Sequence, residues 1–571
     1  MTLELTPTAA PPSTAELDQL VEELAGGARV WAGLGLAERA AILRETQASI
    51  VEHAEAWAAT AIAAKQVPAG HLEGEEWTSG PAATAPMFAE YAASLDLLAA
   101  GRSPLDGRRL GSAPGGRVTM PILPADLKDR VLFSGFTGEV WLQPGVTPEQ
   151  ALAEAGLGAR RTGEYGGVGL VLGAGNISAI GPLDVAYELV AHNRASILKL
   201  NPTFQHLQPV YERALAPLVR RDLLRIVNGG AEVGAYLTEH PAIDHVHITG
   251  SGRTHDAIVW GTGEEAARNR AAGTPKLGKE ITSELGGVSP IIVVPGRWSR
   301  ADLRFQAEHV VTQRLHNAGH NCVGGQALIL SSDWAQKQDF LAAIRAVLQE
   351  VTPRPSWYPG APDRIAQARR TYPEAEEVGS CLLVALRDDS PSELYDGEYF
   401  AAVLGITELP GTGATFLENA VAFANDRLDG TLGSAVIAAP ADIKAMGARF
   451  EELIAELRYG AVSVNAWSGL AFLLGGATWG AYPGHTLEAV GSGMGIVHNT
   501  HLIDHAERTV VRGPFRPFPR SVLGGELALS PRPPWFVTAR TSDTVGRALA
   551  ALAGKRTWRG VLRVVPAAMR G

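Results

Sequence analysis

Two residues of this chain have the types needed to form and then hydrolyse a thioester: Cys322 and Glu284. Cys322 lies in a Gly/Asn-rich segment, HNAGHNCVGGQALIL (316–330), and Cys381 is the only other cysteine in the sequence. A lone thiol in such a segment predicts a nucleophile, and the carboxylate 38 positions upstream, in ELGG, predicts its general base. The alternatives are a buried structural cysteine and a surface or capping glutamate.

The composition is that of a large globular protein, and it limits the classes of partner. The chain has 571 residues, of which 46% are hydrophobic and 19% charged, and its net charge is −10. This length predicts two or three domains with a large core, and the acidic balance argues against nucleic acid as a partner. Two cysteines cannot form a disulfide framework, and the N-terminal segment lacks the regions of a signal peptide, so a cytoplasmic location is expected. No metal site is predicted.

Hydrophobic periodicity divides the first part of the chain into segments. Residues 1–15 are rich in Pro, Thr and Ala and are expected to be loose, whereas apolar residues recur at helical intervals over 16–65. Within 115–147, three short segments have the composition of strands in a hairpin or arm: RVTMPI, RVLFSGF and GEVWLQPG.

Strand-like and helix-like segments alternate from Gly167 to Ser251. The strand-like segments are GVGLVLG, ASILKLNP, LLRIVNGG and DHVHITGS, and helix-like segments separate them. This order predicts a parallel sheet with crossover helices, whose turns after the strands bind ligands. No GxGxxG follows the first strand, so the standard Rossmann fingerprint is absent. A second α/β stretch begins near Glu284.

Two regions differ from this pattern. Residues 466–484 are uncharged but hold several glycines and Pro483, which indicates a buried glycine-rich loop rather than a membrane span.

From Gly513 the tail has ten Lys or Arg and two Asp or Glu, a net charge of +8 that leaves −18 for residues 1–512. Its segment GRALAALAGKRTWRGVLRVV predicts a basic amphipathic element. Packing of the tail on a neighbouring subunit is preferred over contact with a membrane surface.

Several ordered strings resemble the aldehyde dehydrogenase superfamily over roughly residues 20–512. These strings are GAGNIS (173–178), LKLNP (198–202), GAYLTEHPAIDHVHITGS (234–251), ELGGVSP (284–290), NAGHNC (317–322), EYF (398–400) and GAVSVN (460–465). His320 stands where the family usually has glutamine. Of the family's asparagine and lysine patterns, this chain keeps mainly Asn176 and Lys199.

The resemblance implies an α/β fold with a Rossmann-type cofactor domain, an α/β catalytic domain and a small β oligomerisation arm. The expected boundaries are 16–114 and 148–283 for the dinucleotide-binding domain, 284–490 for the catalytic domain, 115–147 and 491–512 for the arm, and 513–571 for a C-terminal extension of unknown role. Family members are usually dimers or tetramers, so a homodimer or homotetramer is expected.

The resemblance also assigns catalytic roles. Cys322 would attack the carbonyl carbon of a small-molecule aldehyde as a thiolate. Asn176, together with the backbone N–H of Cys322, would bind the oxyanion, although a turn asparagine is the alternative. Glu284 would activate the water that hydrolyses the thioester, and it is also a candidate for deprotonating Cys322.

The resemblance implies NAD or NADP as the cofactor. Lys199 would contact the adenosine ribose, and Gly250 and Ser251 would meet the pyrophosphate at a helix N-terminus. Glu398 would hold the nicotinamide ribose, and Phe400 would pack against that end of the cofactor. A plain N-cap serine and an ordinary loop are the alternatives for TGS and EYF.

One departure from the family bears on the choice between the two cofactors. Many NAD-preferring members carry a glutamate three residues after the lysine, and here that position is Pro202. Loss of this negative charge removes a barrier to a 2′-phosphate, and Arg253 is placed to attract one. Dual use of NAD and NADP is therefore the hypothesis.

Three functions are compared. The first is oxidation of an aldehyde to a carboxylic acid through a thiohemiacetal and a thioester of Cys322. In the second, coenzyme A accepts the acyl group, or the enzyme runs in reverse as a fatty acyl-CoA reductase. Relatives that use coenzyme A in this way generally lack a catalytic base like Glu284. The third is a non-catalytic scaffold, against which the retained thiol, carboxylate and amide argue. The sequence does not identify the aldehyde substrate, because the aromatic residues of 466–484 fit the lining of a substrate tunnel or a hydrophobic core equally well.

Overall fold

Two large β-sheets organise residues 10–571, which are the residues described by this computed structural model. The helices are α1 Thr14–Gly33, α2 Leu36–Glu52, α3 Ala54–Ala64, α4 Gly74–Thr78, α5 Pro81–Ala99, α6 Leu127–Leu132, α7 Pro148–Glu154, α8 Ile180–His192, α9 Gln208–Ala214, α10 Ala216–Val219, α11 Ala231–Glu239, α12 Gly252–Trp260, α13 Gly263–Ala272, α14 Arg300–Leu315, α15 Lys337–Glu350, α16 Ala361–Thr371, α17 Glu393–Asp396, α18 Gly413–Arg427, α19 Pro440–Met446, α20 Ala448–Glu456, α21 Gly469–Leu473, α22 Arg520–Leu523, α23 Ser542–Gly554 and α24 Trp558–Ala568. The strands are β1 Gly111–Ala113, β2 Arg117–Leu123, β3 Thr137–Leu142, β4 Val168–Leu172, β5 Ala195–Lys199, β6 Leu224–Val227, β7 His245–Gly250, β8 Glu280–Leu285, β9 Ser289–Val293, β10 Gly325–Ser331, β11 Glu376–Val378, β12 Cys381–Leu386, β13 Val403–Leu409, β14 Gly433–Ile437, β15 Ala461–Val464, β16 Thr478–Gly480, β17 Gly493–Met494, β18 Ile496–His498 and β19 Ala506–Arg512.

The smaller of the two sheets has six strands in the order β17-β8-β7-β4-β5-β6. Strands β4 to β8 are parallel to their neighbours, and β17 closes one edge antiparallel to β8. Strand β4 is an apolar run buried along most of its length, as expected for a parallel strand with a helical layer on each face. The strand order reverses at β4, so the carboxyl ends of β4 and β7 flank a switch point where ligands bind in open α/β sheets.

The larger sheet has eleven strands in the order β1-β2-β3-β19-β15-β14-β9-β10-β13-β12-β11. Its central strands from β19 to β12 are parallel, and the pairs at both ends are antiparallel. The α/β class predicted from the sequence is confirmed, as is the alternation of strands and helices from β4 to β7. The helices predicted over 16–65 are confirmed as α1, α2 and α3.

One predicted strand is wrong. The segment RVLFSGF lies in α6 and the turn after it. The Asp126 side chain accepts hydrogen bonds from the backbone N–H groups of Lys128 and Asp129, and this N-cap starts a helix where residue composition indicated a strand. Of the residues expected to be loose, 1–9 lie outside the described part, and α1 already begins at Thr14 with Ser13 as its cap.

The strands expected to form the arm join the eleven-stranded sheet of the same chain. Strand β19 pairs in parallel with β15 and antiparallel with β3, and β3 pairs with β2. The domain boundaries and the oligomeric role of this segment stay predictions.

The uncharged stretch 466–484 is a folded, largely buried connection that contains α21 and β16. Trp467 and Trp479 are 5% and 3% exposed, which agrees with the predicted buried loop. None of the helices in residues 10–571 combines the length and apolarity needed to cross a bilayer.

The C-terminal tail packs on its own chain, and its expected contact with a neighbouring subunit stays a prediction. Phe536 stacks on Phe305 and on His309, with ring centroids 5.3 and 5.4 Å apart. Arg532 forms an ion pair of 2.8 Å with Glu308 on α14. The predicted amphipathic element consists of two helices, α23 and α24, and α23 packs on α4 and α5. Phe536 and Arg532 of the tail thus find their partners within the chain.

We expect Phe536→Ala to destabilise the protein, because this ring is 4% exposed and truncation of a buried aromatic side chain typically costs about 3–5 kcal/mol. Thermal unfolding should show a melting temperature lowered by several degrees. The matched control is Leu523→Ala in the same tail, since Leu523 is 87% exposed. Equal melting temperatures for the two variants would mean that the tail does not contribute to the stability of the core.

Candidate active site

A cleft of about 1260 Å³ opens at the carboxyl ends of the parallel strands β4, β5, β7 and β8. It extends from the N-terminus of α12 to the segment that carries Cys322. All eight residues singled out from the sequence line this one cleft: Asn176, Lys199, Gly250, Ser251, Glu284, Cys322, Glu398 and Phe400.

The cysteine loop, residues 316–322, connects α14 to the turn before β10. Asn317 and Ala318 have φ values of 53° and 56°, a left-handed conformation that is costly for residues other than glycine. Hydrogen bonds hold Asn317 in place: its N–H donates to Glu75 Oε2 at 2.7 Å, and its Oδ1 accepts from Lys65 Nζ at 3.2 Å. The loop that presents Cys322 is therefore fixed by side chains of the N-terminal helices.

The Cys322 thiol and the Glu284 carboxyl group lie close enough to each other to shift each other's pKa. Glu284 is 4% exposed and accepts a hydrogen bond at Oε1 from Trp479 Nε1, at 2.8 Å. Cys322 is half-buried and reaches the cleft. The thiol and the carboxylate thus meet at the inner end of the cleft.

Burial and mutual repulsion keep protons on these groups. Burial raises the pKa of the Cys322 thiol well above its ordinary value, and the negative charges of Glu284 and Glu398 raise it further. Burial also raises the pKa of Glu284 to about 7, although the hydrogen bond from Trp479 partly opposes the shift. A carboxyl group with this pKa can release and accept a proton near neutral pH.

The Asn176 side chain lies next to the cysteine loop. Its Nδ2 donates to the carbonyl oxygen of His320 at 3.0 Å, and the Nδ2 of Asn317 donates to the same oxygen at 3.0 Å. Asn176 is 6% exposed and lines the cleft. In this arrangement the side-chain amide of Asn176 already donates to a carbonyl of the cysteine loop. Its predicted role in binding an oxyanion therefore stays a prediction.

His320, at the position where glutamine was expected, is fully buried and connects the cysteine loop to the Glu398 segment. Its Nδ1 lies 2.8 Å from the carbonyl oxygen of Phe400, which identifies Nδ1 as the donor. Burial lowers the pKa of His320 to about 4, so the ring is neutral at physiological pH. Phe400 itself has a φ of 47°, and its carbonyl also accepts from Arg364 Nη2 at 3.2 Å.

Glu398 has an unsatisfied carboxylate oxygen. Its Oε1 is buried and has no hydrogen-bond partner among residues 10–571. Burial raises the pKa of Glu398 to about 8, and the nearby Arg314 guanidinium opposes the shift. Gly286 leaves room for this carboxyl group, because a Cβ at that position would lie 2.0 Å from Glu398 Oε2. A buried acceptor without a partner fits a hydroxyl-bearing ligand such as a ribose.

The outer end of the cleft fits an anionic ligand. Ser251 caps α12, its Oγ accepting from the Thr254 N–H at 3.2 Å, so the free N–H groups of the first helical turn face the cleft beside Gly250. Lys199, at the end of β5, also lines the cleft, and burial lowers its pKa. The basic side chains Arg253, Lys276 and Lys279 lie in the same wall. The ribose acceptor and this cationic end together suit a dinucleotide.

Sequence reasoning missed several residues that shape this site. Trp479 was interpreted as a tunnel or core residue, whereas it donates a hydrogen bond to Glu284. Lys65 and Glu76 form a fully buried ion pair of 2.7 Å behind the cysteine loop. No local pattern identifies either contact, because each joins residues that come together only in the folded chain.

Comparison with known proteins shows that the chain is similar to one family. The model of the aldehyde dehydrogenase family matches residues 204–359, a segment that includes Glu284 and Cys322. N-succinylglutamate 5-semialdehyde dehydrogenase of Sphingopyxis alaskensis is 34% identical over 117 residues, which cover 20% of this chain and 21% of that relative. Over this segment the chain is similar in sequence to the aldehyde dehydrogenase family. The matched segment spans only about a fifth of this curated relative.

Solved structures show the same fold over most of the chain. The aldehyde dehydrogenase KauB from Pseudomonas aeruginosa superposes with a TM-score of 0.60 at 17% identity, covering 89% of this chain and 90% of that chain. An NAD-dependent aldehyde dehydrogenase from Sinorhizobium meliloti superposes with a TM-score of 0.57 at 16% identity, covering 88% and 87%. The aldehyde dehydrogenase fold predicted from the sequence is confirmed.

We expect Glu284→Gln to accelerate alkylation of Cys322 by iodoacetamide at pH 7.5. Removal of the neighbouring negative charge lowers the pKa of the thiol, and each unit by which it falls raises the thiolate fraction about tenfold. Peptide mass spectrometry would follow the reaction. Cys381 is an internal control, because it is 1% exposed and burial raises its pKa to about 12. An unchanged or slower reaction in the variant would mean that the carboxylate assists loss of the thiol proton instead.

Proposed function

We propose that this protein oxidises an aldehyde to a carboxylic acid with NAD or NADP, by way of a thioester on Cys322. The observation that carries the proposal is the close approach of Cys322 and Glu284 at the inner end of the cleft. The third proposed catalytic residue, Asn176, lies beside the same loop.

The chemistry follows from the types of group in this site. The Cys322 sulfur adds to the aldehyde carbon and forms a thiohemiacetal, whose oxygen the backbone N–H of Cys322 and the amide of Asn176 stabilise. When bound, the nicotinamide would supply the acceptor for a hydride from that carbon, and a thioester on Cys322 would remain. Glu284 then takes a proton from water, the water oxygen bonds to the acyl carbon, and the carbon–sulfur bond breaks.

The lining of the cleft supports the cofactor assignment. Glu398 offers an unpaired carboxylate oxygen for a ribose hydroxyl, with Phe400 beside it. Lys199, Gly250 and Ser251 line the opposite end, where the N-terminus of α12 favours phosphate. The neighbour from Sinorhizobium meliloti is named as NAD-dependent.

We further propose that the enzyme works as a homodimer or homotetramer in the cytoplasm. Both cysteines of the chain are free thiols, which suits a reducing compartment, and family members are usually oligomeric.

A panel of short-chain, long-chain and aromatic aldehydes, assayed by the absorbance of the reduced cofactor, tests the function. We expect Cys322→Ser to abolish turnover and Glu284→Gln to release about one equivalent of reduced cofactor and then stop, because the thioester forms but is not hydrolysed. If the wild type turns over only with added coenzyme A, the acyl acceptor is that thiol and not water. Absence of activity with every aldehyde would favour the non-catalytic scaffold.

Cofactor choice has a separate test at Pro202, which is exposed directly after the cleft residue Asn201. We expect the wild type to use NAD and NADP with comparable kcat/KM. Pro202→Glu should lower kcat/KM for NADP at least about tenfold and leave NAD nearly unchanged, because the carboxylate repels a 2′-phosphate. Pro202→Gln has the same size without the charge and should change neither. A thousandfold preference of the wild type for NAD would contradict dual use.

A further inference from the structure

The exposed apolar side chains of this protein are concentrated near its C-terminal end. Among residues 10–571, ten large apolar side chains are exposed, and eight of them belong to α6 and the tail. These eight are Leu127, Val522, Leu523, Leu527, Leu529, Trp558, Leu562 and Met569. The tail from Gly513 makes up about a tenth of the chain and holds seven of them. Single exposed apolar residues are ordinary, but a concentration of them marks an interaction surface.

Helix α24 carries apolar side chains on two of its sides, and this chain covers only one. Val561, Val564 and Ala567 are buried in a small core with residues of α23. Trp558 and Leu562 lie one turn apart on another side of the helix and are 49% and 67% exposed. The second side therefore stays uncovered within the described part of the chain.

Basic side chains run beside this uncovered apolar side. Arg559 follows Trp558 and Arg563 follows Leu562, so the two arginines form a second row along the surface of the helix. Both arginines are exposed, and neither forms an ion pair or a side-chain hydrogen bond within residues 10–571. Their charges are therefore free to meet an external partner.

The whole end of the tail lacks acidic residues. After Asp543 the chain has six Lys or Arg and no Asp or Glu, a net charge of +6. Arg547 and Arg556 pair with carboxylates of the body, Glu55 and Asp129. The surplus positive charge is thus left on α24 and the residues next to it.

Helix α6 extends this surface beyond α24. The two helices pack together, and Lys128 Nζ lies 5.6 Å from the centroid of the Trp558 ring. Leu127, at the start of α6, is 66% exposed. We call the combined surface the tail patch, and it consists of Leu127, Lys128, Trp558, Arg559, Leu562 and Arg563.

A second copy of this chain is one candidate occupant of the tail patch, but it matches the patch poorly. Residues 1–512 have a net charge of −18 and would attract the arginines. However, the described surface outside α6 and the tail offers only two exposed large apolar side chains, Val30 and Tyr165. Contact between two tail patches would bring like charges together. Neither arrangement satisfies the apolar and the basic side chains at once.

The surface of an anionic bilayer satisfies both. Apolar side chains of an interfacial helix enter the boundary between headgroups and acyl chains, while neighbouring basic side chains bind the anionic headgroups. Tryptophan is enriched at this depth, because its ring is apolar and its N–H is polar. The alternation of Trp558 and Leu562 with Arg559 and Arg563 fits this environment.

We propose that the tail patch docks this protein onto the surface of an anionic lipid bilayer as a peripheral contact, an inference that does not depend on the proposed reaction. Trp558 and Leu562 enter the headgroup boundary. Lys128, Arg559 and Arg563 bind anionic headgroups around them.

Co-sedimentation of the full-length protein with sucrose-loaded vesicles tests the docking. One set of vesicles consists of phosphatidylcholine, and the other also contains about 30% phosphatidylglycerol, which is anionic. We expect the partition coefficient at about 0.1 M NaCl to be about tenfold or more higher for the anionic vesicles. Raising the salt to about 0.5 M should remove most of this difference, because the salt screens the charges.

Two double variants test the contribution of the arginines. Arg559→Gln combined with Arg563→Gln should lower the partition coefficient for anionic vesicles about tenfold or more, since each basic residue near such a surface typically contributes about fivefold. The matched control combines Arg370→Gln with Arg387→Gln. These two arginines of the body are also exposed and form no ion pair within residues 10–571, so the control should match the wild type.

A second pair of variants tests the apolar contribution. Leu562→Ser should lower the partition coefficient about threefold or more, because less apolar area enters the bilayer. Val30→Ser is the matched control, since Val30 on α1 is 61% exposed and lies outside the tail patch. Both variants should keep the melting temperature of the wild type, which shows that any loss of binding is not a loss of folding.

The outcomes separate the bilayer from a second copy of the chain. Absence of wild-type binding to anionic vesicles would overturn the proposal, as would equal binding to both kinds of vesicle or equal weakening in the two double variants. Sedimentation velocity without lipid follows the other occupant. If Arg559→Gln with Arg563→Gln lowers the oligomeric mass and the wild type does not bind vesicles, the tail patch joins copies of this chain instead. No measurement here uses an aldehyde, so failure of the docking leaves the proposed function untouched.

Discussion

A thiol and two carboxyl groups share one poorly solvated space, and the rest of the site depends on that constraint. Two unit charges about 4 Å apart interact by about 4 kcal/mol at an effective dielectric constant of 20. Cys322, Glu284 and Glu398 therefore cannot all be ionised together, and the pKa of each is raised. The position of the proton decides which group acts as nucleophile and which as base. Trp479 biases this balance, because its hydrogen bond stabilises the ionised form of Glu284.

The cysteine must also be held at a fixed distance from that carboxylate, and the N-terminal helices provide the support. Lys65, at the end of α3, and Glu76, on α4, form an ion pair that is buried completely, and Lys65 Nζ also donates to Asn317. Removal of one partner of a buried pair typically costs about 3–5 kcal/mol, whereas an apolar replacement of both is often neutral. Such a pair contributes little to net stability, so its position behind the loop is best explained by the geometry it imposes on Asn317 and, through the loop, on Cys322.

Local sequence patterns predicted much of the fold and of the site. The features they missed depend on contacts between residues far apart in the sequence. The alternation from β4 to β7 and the α/β class follow from local hydrophobicity, and the ordered strings placed eight residues that line one cleft. The segment RVLFSGF was assigned to a strand because its composition outweighed the cap at Asp126. The contact between Trp479 and Glu284 joins positions 195 residues apart, which no periodicity encodes. The tail has the composition of a basic amphipathic element, and only its contacts with rings on α14 show where it docks.

Polar side chains interrupt two apolar elements of the six-stranded sheet and its covering helix. HVHITG places a polar residue at alternate positions of a buried strand, and Asp184 and Glu188 lie four apart on a helix that is otherwise almost wholly apolar. Carboxylates and imidazoles in a core are costly unless they are hydrogen-bonded, and a well-packed apolar face would stabilise the sheet at least as well. Stability alone would therefore not require these carboxylates and imidazoles next to the strand that carries Glu284. Hydrogen bonds between these side chains, from Thr249 to Asp184 and between His247 and Thr282, offset part of that cost.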